Sequence, residues 1–206
     1  QRVLHIHQTA TGKEHVDVEM LPIIDDNGSL KFFVELLKPV MFASPNTGGN
    51  DMVGESRRFN DMVENISRVG PSGASVLLLG ESGTGKEMTA LAIHHASNRN
   101  NKPMVTLECA GLTETLFESE VFGHVKGAFT GAIGKKDGVF LRAGNGTLFL
   151  DEITEMPIEM QPNLLRVLET NRVTPLGGTK EIEVNCRVIS ATNRSIEEIA
   201  QSKVLR

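Results

Sequence analysis

The sequence contains no tryptophan and no tyrosine, and aromatics are 4% of its 206 residues. A stacking platform for single-stranded nucleic acid is therefore not expected. A basic excess is also missing: 21 Lys and Arg stand against 26 Asp and Glu, for a net charge of −5. The only basic doublets are Arg57-Arg58 and Lys135-Lys136. This balance does not suit a chain that holds DNA by bulk charge, which needs clustered cations. No apolar run approaches the ~20 residues that span a bilayer, so no membrane association is expected. Residues 1–15 hold no continuous apolar stretch and do not read as a secretory leader. Cysteine is scarce: Cys109 and Cys186 are far apart and outside any Cys-x-x-Cys pair. They read as reduced thiols of a cytoplasmic protein. The chain opens on Gln1 and stops at Arg206 inside a helical pattern, which reads as a piece of a longer protein.

What is present is a globular balance, with 39% hydrophobic and 23% charged residues. Three segments separate. In 1–37, Val16, Val18 and Met20 alternate with acids, and Leu30, Phe32, Val34 and Leu36 alternate again. Asp25-Asp26-Asn27-Gly28 lies between them as a turn, so the pattern predicts a hairpin. Residues 38–51, with Pro39, Pro45, Gly48 and Gly49, read as a linker.

From residue 52 helices alternate with short apolar strands. Phe59, Met62, Val63, Ile66 and Val69 share a helical face. Val76–Leu79 reads as a strand covered on both faces, with further strands at 104–107, 147–150 and 187–191. Helical stretches are expected at 86–98, 112–122 and 158–170, with Pro162 distorting the first turns of the last. The alternation predicts an α/β fold, a parallel sheet wrapped by helices.

Gly80-Glu81-Ser82-Gly83-Thr84-Gly85-Lys86 follows the first of these strands and opens a helix. That is the spacing of a phosphate-binding loop, whose glycines let backbone N–H groups turn toward phosphate oxygens. Lys86 adds a cation for the β- and γ-phosphates. Glu87 stands where Ser or Thr usually gives a hydroxyl to magnesium. The bland alternative is a surface glycine turn. Thr147–Leu150 ends in Asp151-Glu152. Asp151 would hold Mg2+, directly or through water, and Glu152 would polarise the attacking water, brought to the loop by the adjoining strand. A solvated strand edge is the alternative. Asn193 reads equally as a γ-phosphate contact or a helix cap, and Ser195 could also cap.

Between these segments lies a loop with three glycines, Gly123, Gly127 and Gly131, and one aromatic, Phe129. Its composition fits either a segment tucked into the core or a displayed contact tip, the core being favoured. His5 and His7 would share a strand face without a third ligand, and His94 and His95 point apart, so neither reads as a metal pair.

Gly127-Ala128-Phe129-Thr130-Gly131-Ala132 resembles the signature of the sigma-54-dependent transcriptional activators (bacterial enhancer-binding proteins), an AAA+ P-loop NTPase family. The resemblance runs from Val53-Gly54-Glu55-Ser56 to the end. It takes in Gly80 to Glu87, Phe122-Gly123-His124, Gly146 to Ile153, Leu164 to Leu168 and Ala191-Thr192-Asn193. The family ordinarily has Glu at position 87. The resemblance implies an AAA+ ATPase subdomain over 52–206, ATP and Mg2+ as ligands, and Val53 and Gly54 beside the nucleotide. It implies a hexameric ring, dimeric when inactive, in the bacterial cytoplasm. Hydrolysis would move the loop Gly127 to Ala132, whose Phe129 and Thr130 touch sigma-54 RNA polymerase holoenzyme and open promoter complexes. A hairpin around Gly177-Gly178 would move with it. Arg206 resembles the first of two arginines acting across subunits, and enhancer DNA would be bound only by a C-terminal domain absent here. With lid and second arginine missing, the chain alone is expected to be a weak ATPase.

Three positions depart from the family. Glu108 replaces an Asn that restrains the catalytic Glu, which makes it a switch candidate, because a carboxylate facing Glu152 would repel it. Val125 replaces a Glu, and Leu91 a frequent Arg. The hairpin of 1–37 resembles the last strands of a PAS sensory domain. Two other functions remain in view: a nucleotide-binding regulatory module with little hydrolysis, and a ligand-sensing, dimerising protein ruled by its N-terminal hairpin.

Overall fold

The computed structural model describes residues 2–9, 12–25, 27–40, 43–44, 52–54 and 56–202. Arg206 and most of the expected linker lie outside the described residues. The chain divides into two compact units, Gln1–Ser72 and Gly73–Arg206.

The first unit is an antiparallel sheet of β1 (Arg2–Thr9), β2 (Gly12–Ile24) and β3 (Leu30–Pro39), with β2 central. The hairpin between β2 and β3 turns as its residues demand. Asp25 Oδ1 accepts from Asn27 N at 3.0 Å and Ser29 N at 2.9 Å, and Gly28 takes φ 79. The strands are longer than the alternation predicts, and Leu21, Ile23, Phe32 and Phe33 are exposed. Two short strands, β4 (Ala43–Ser44) and β5 (Met52–Val53), pair in parallel. Helix α1 (Arg57–Val69) follows, its N-terminus capped by Ser56 Oγ accepting from Phe59 N, with Val63 and Ile66 buried.

The second unit is built on four parallel strands: β6 (Val76–Leu79), β7 (Met104–Glu108), β10 (Thr147–Asp151) and β13 (Arg187–Thr192). Their spatial order is β6-β13-β10-β7. The chain passes from β6 through α2 (Lys86–His95) to β7 at the far edge. It continues through α3 (Glu114–Phe122), the short pair β8 (Gly123–His124) and β9 (Lys136–Asp137), and α4 (Val139–Ala143) into β10. After β10 come α5 (Gln161–Thr170) and the hairpin β11 (Arg172–Val173) with β12 (Ile182–Glu183). Last are β13 and α6 (Ile196–Ser202). The core is apolar: Phe117, Phe140, Leu148 and Leu150 are at most 1% exposed. Each such side chain contributes about 1.5–3 kcal/mol by leaving water.

The sequence-based expectations need four corrections. The acidic strand β10 does not adjoin β6, because β13 lies between them. Strand β6 is not covered on both faces: at the sheet's described edge, Leu77 and Leu79 are 46% and 43% exposed. Helix α2 ends at His95, short of residue 98, where a turn leads to the Arg99 clamp described below. Pro162 distorts nothing, since a 3-10 turn at Ile158–Met160 precedes α5 and Pro162 falls in its first turn. There the missing N–H has no intrahelical partner to lose.

Candidate functional site

The carboxyl ends of β6, β13, β10 and β7 share one edge of the sheet, where ligands of open α/β folds bind. β6 delivers the loop Gly80–Gly85. Gly83 and Gly85 take φ 79 and 87, a left-handed geometry that side chains resist. A Cβ on Gly80 would sit 2.8 Å from Thr84 Oγ1. Thr84 Oγ1 donates to Glu81 O at 2.8 Å, and Gly80 N donates to Thr192 O at 3.2 Å, which ties the loop to β13. Gly85 caps α2, whose opening turn carries Lys86 and Glu87; Glu87 and Ser82 are exposed. An acid in that turn suits the positive end of the helix.

Lys86 Nζ donates to the carbonyls of Gly80 at 2.9 Å and Glu81 at 3.2 Å, and lies 3.3 Å from Glu152 Oε1. The Lys86 and Glu152 side chains are 10% and 17% exposed. Glu152 Oε2 accepts from the backbone N of Asn193 at 3.0 Å. The structure thus brings Lys86, Glu152 and Asn193 together although their strands were expected in another order. Asn193 is not the cap of α6. Ser195 is: its Oγ accepts from Glu198 N, and Glu198 Oε2 accepts from Ser195 N, a reciprocal capping box.

Asp151 Oδ1 accepts from Glu152 N at 3.0 Å, and its Oδ2 has no partner among the described residues. A half-buried carboxylate with an open oxygen, at the carboxyl end of β10, fits a hard divalent cation. The β7/β10 register pairs Glu108 with Asp151. Behind them Cys109 is 1% exposed, its thiol pushed up to about 12 by burial and then by Glu108, Asp151 and Glu152. Val53 and Gly54 belong to the first unit. There Gly54 faces the Phe59 ring, which a Cβ would meet at 2.6 Å.

The glycine loop leaves α3 through β8. His124 is buried, its Nδ1 2.8 Å from Ser119 Oγ, and its ring meets that of Phe129 edge-on at 5.0 Å. Phe129 is therefore half-buried on its own loop. Thr130 and Gly131 are exposed, Ala132 is buried, and Gly127 N donates to Ala132 O at 2.9 Å, closing the loop. The β11–β12 hairpin loop packs directly on it: Val125 N donates to Leu176 O, Leu176 N to Gly123 O. A Cβ on Gly177 would lie 2.9 Å from Ala128 Cβ and 3.2 Å from Val125 Cγ2. Val125, one of the three departures from the family pattern, thus lines the close approach of Gly177 to this loop.

Several participants carry no signal in the sequence. Thr154 Oγ1 and Thr192 Oγ1 are 2.7 Å apart, and Arg194 bridges Glu155 at 2.9 Å. At the opposite sheet edge Arg99 donates to the carbonyls of Asn145 and Asn185. Thr192 falls in the string Ala191-Thr192-Asn193, but nothing in the sequence marks its partner or the other contacts, because each joins segments distant in sequence.

Known proteins give the same picture. Residues 52–206 match the family described as Sigma-54 interaction domain. The chain is similar to the DNA-binding transcriptional activator HyfR of Escherichia coli K12, 47% identical over 161 residues, covering 78% of this chain and 24% of that protein. It is also similar to the transcriptional regulatory protein GlrR of the same organism, 52% identical over 135 residues, covering 66% and 30%. The crystal structure of NtrX from Brucella abortus in complex with ATP superposes with a TM-score of 0.68 at 37% identity, covering 75% of this chain and 35% of that one. The chain thus spans about a quarter to three tenths of the length of these curated relatives.

Proposed function

The chain belongs to the sigma-54 interaction domain family, and from that premise we propose that it is the ATP-hydrolysing module of a bacterial transcription activator that remodels sigma-54 RNA polymerase holoenzyme. The observation that carries the reading is the meeting of Lys86, Glu152 and the Asn193 backbone at the sheet's carboxyl edge. The related NtrX was solved in complexes with ADP and with ATP.

In this reading the triphosphate takes the backbone amides of Gly80–Lys86 and the ammonium of Lys86. Asp151 holds Mg2+, which when bound neutralises charge on the phosphate oxygens. Lys86, once on phosphate, releases the Glu152 carboxylate, which accepts the proton of the attacking water. Asn193 reports the terminal phosphate through the same carboxylate. The loop 127–132 presents Thr130 to sigma-54, and its seating against Leu176 and Gly177 makes the two loops move as one body. Residues 1–37 serve as the end of a PAS-like sensory domain, 38–51 as a linker, and 52–206 as the AAA+ subdomain. Arg206 acts on a neighbouring subunit of a cytoplasmic hexamer that is dimeric at rest. Enhancer DNA is bound by parts of the protein outside this chain.

A second reading, nucleotide binding with little turnover, is favoured by Glu108, which adds a carboxylate in register with Asp151. Specific ATPase activity of the full-length protein, measured against its concentration, separates the two. A steep rise with concentration is expected of a ring that completes its sites between subunits. Undetectable turnover with nucleotide bound would favour the second reading.

A further inference from the structure

Glu152 adopts φ 49 and ψ 52, a left-handed backbone that a residue with a Cβ keeps only when its surroundings hold it. On the strand side, Asp151 Oδ1 accepts its N–H. On the other side, its carbonyl accepts from Glu155 N at 2.9 Å, and the intervening turn is pinned by Thr154. The hydroxyls of Thr154 and Thr192 lie 2.7 Å apart, with the residues 3% and 0% exposed, so no bulk water competes for them. Thr192 is engaged twice more. Its Oγ1 accepts from Arg194 N at 3.1 Å, and its carbonyl accepts from Gly80 N at 3.2 Å. Thr154 therefore ties the turn carrying Glu152 to the residue that anchors the first glycine of the phosphate loop. The outer Arg194–Glu155 bridge, 34% and 45% exposed, is open to water and adds less.

We infer that Thr154 is a positioning residue for Glu152: its hydroxyl fixes the turn so that the carboxylate stays between Lys86 Nζ and Asn193 N. This rests on the reading of the site as one that hydrolyses ATP. Ile153 and Met156, 6% and 4% exposed, anchor the turn by apolar burial. Such burial is non-directional and sets depth without fixing rotation about the strand axis. The hydroxyl pair adds a directional, water-shielded contact from this turn to β13. Valine at 154 keeps the volume, removes the hydroxyl and leaves the buried Thr192 Oγ1 short of a partner.

The test compares Thr154→Val and Thr154→Ser in the full-length protein, reading kcat, KM for ATP, ADP affinity and melting temperature. Thr154→Val is expected to lower kcat about tenfold, the loss of one buried hydrogen bond felt at the transition state. KM and ADP affinity should stay within about twofold, and Thr154→Ser should restore kcat to the same margin. Wild-type kcat in Thr154→Val, equal impairment in Thr154→Ser, or kcat and ADP affinity falling together would each overturn the inference. A wild-type protein that binds ADP but turns over no ATP would overturn the hydrolysis reading and this inference with it; turnover in the wild type with Thr154→Val unchanged removes the inference alone.

Discussion

Lys86 Nζ stands 3.3 Å from Glu152 Oε1, although a whole strand, β13, separates β6, which leads to Lys86, from β10, which leads to Glu152. The ammonium of Lys86 and the carboxylate of Glu152, proposed above as the phosphate ligand and the base, neutralise each other in this state. Their side chains are largely shielded, so the pair is more than a surface contact. In the proposed reading a triphosphate entering the loop would displace Glu152 from Lys86. Under the proposed function, binding and activation of the base would then be one event: the phosphate would take the ammonium and the freed carboxylate would turn to the water.

Substituting Glu152→Gln follows directly. The amide keeps the shape but cannot take a proton, and hydrolysis by the full-length protein should fall about 10²–10⁴-fold. Nucleotide affinity should be equal to or above that of the wild type, because the competitor for Lys86 has lost its charge. Steady-state ATPase assays and calorimetric titration with ATP check both. Equal turnover in the two proteins would remove Glu152 from this role.

Thr130 is exposed at the tip of a loop whose aromatic, Phe129, is folded back on His124. Thr130→Ala should leave ATP hydrolysis within about twofold, as for a surface substitution away from structural contacts. It should abolish capture of sigma-54 in a pull-down with an ATP transition-state mimic. Retained capture would show that the contact lies elsewhere.

Much of this site was readable from local strings: a glycine loop after an apolar run and an acid pair at a strand end each announce themselves within a few residues. Strand order was not, because neither alternation nor spacing says that β13 inserts between β6 and β10. The loop around Phe129 was ambiguous for a physical reason. Its composition suits burial and display alike, and the structure divides them, with Phe129 half-buried and Thr130 exposed. The Thr154–Thr192 contact had no signature, since threonine in a turn is ordinary and its partner lies on another strand.

His94 sits 3% exposed, with Nδ1 2.8 Å from Thr147 Oγ1. Burial lowers its pKa, helped by His95 and Arg187 and opposed by a hydrogen bond with the Lys102 backbone. The folded state therefore holds His94 neutral, whereas the unfolded chain takes up a proton near pH 6.5. The stability from this group is complete above that pH and is lost as the pH falls below it. Urea midpoints of wild type and His94→Gln, compared at pH 7.5 and pH 5, should differ less at the lower pH. A constant difference would mean that His94 contributes by packing alone.

Gly146 precedes β10 at the point where that strand meets β7. A Cβ there would lie 1.9 Å from Pro103 O and 2.9 Å from Ala143 O, both backbone atoms. Neither can swing aside as a side chain would. Pro103 O accepts from Thr147 N at 2.9 Å, and Gly146 O accepts from Arg187 N at 3.0 Å. Relieving the clash therefore shifts the start of β10 against both of its neighbouring strands. Gly146→Ala should destabilise the fold by about 3 kcal/mol or more, at the upper end of overpacking costs. Gly134 is the control, since nothing lies within 4 Å of its Cβ position. Gly134→Ala should stay within about 0.5 kcal/mol of the wild type. Urea unfolding of both variants distinguishes a close approach of backbones at Gly146 from a general intolerance of alanine in this glycine-rich chain.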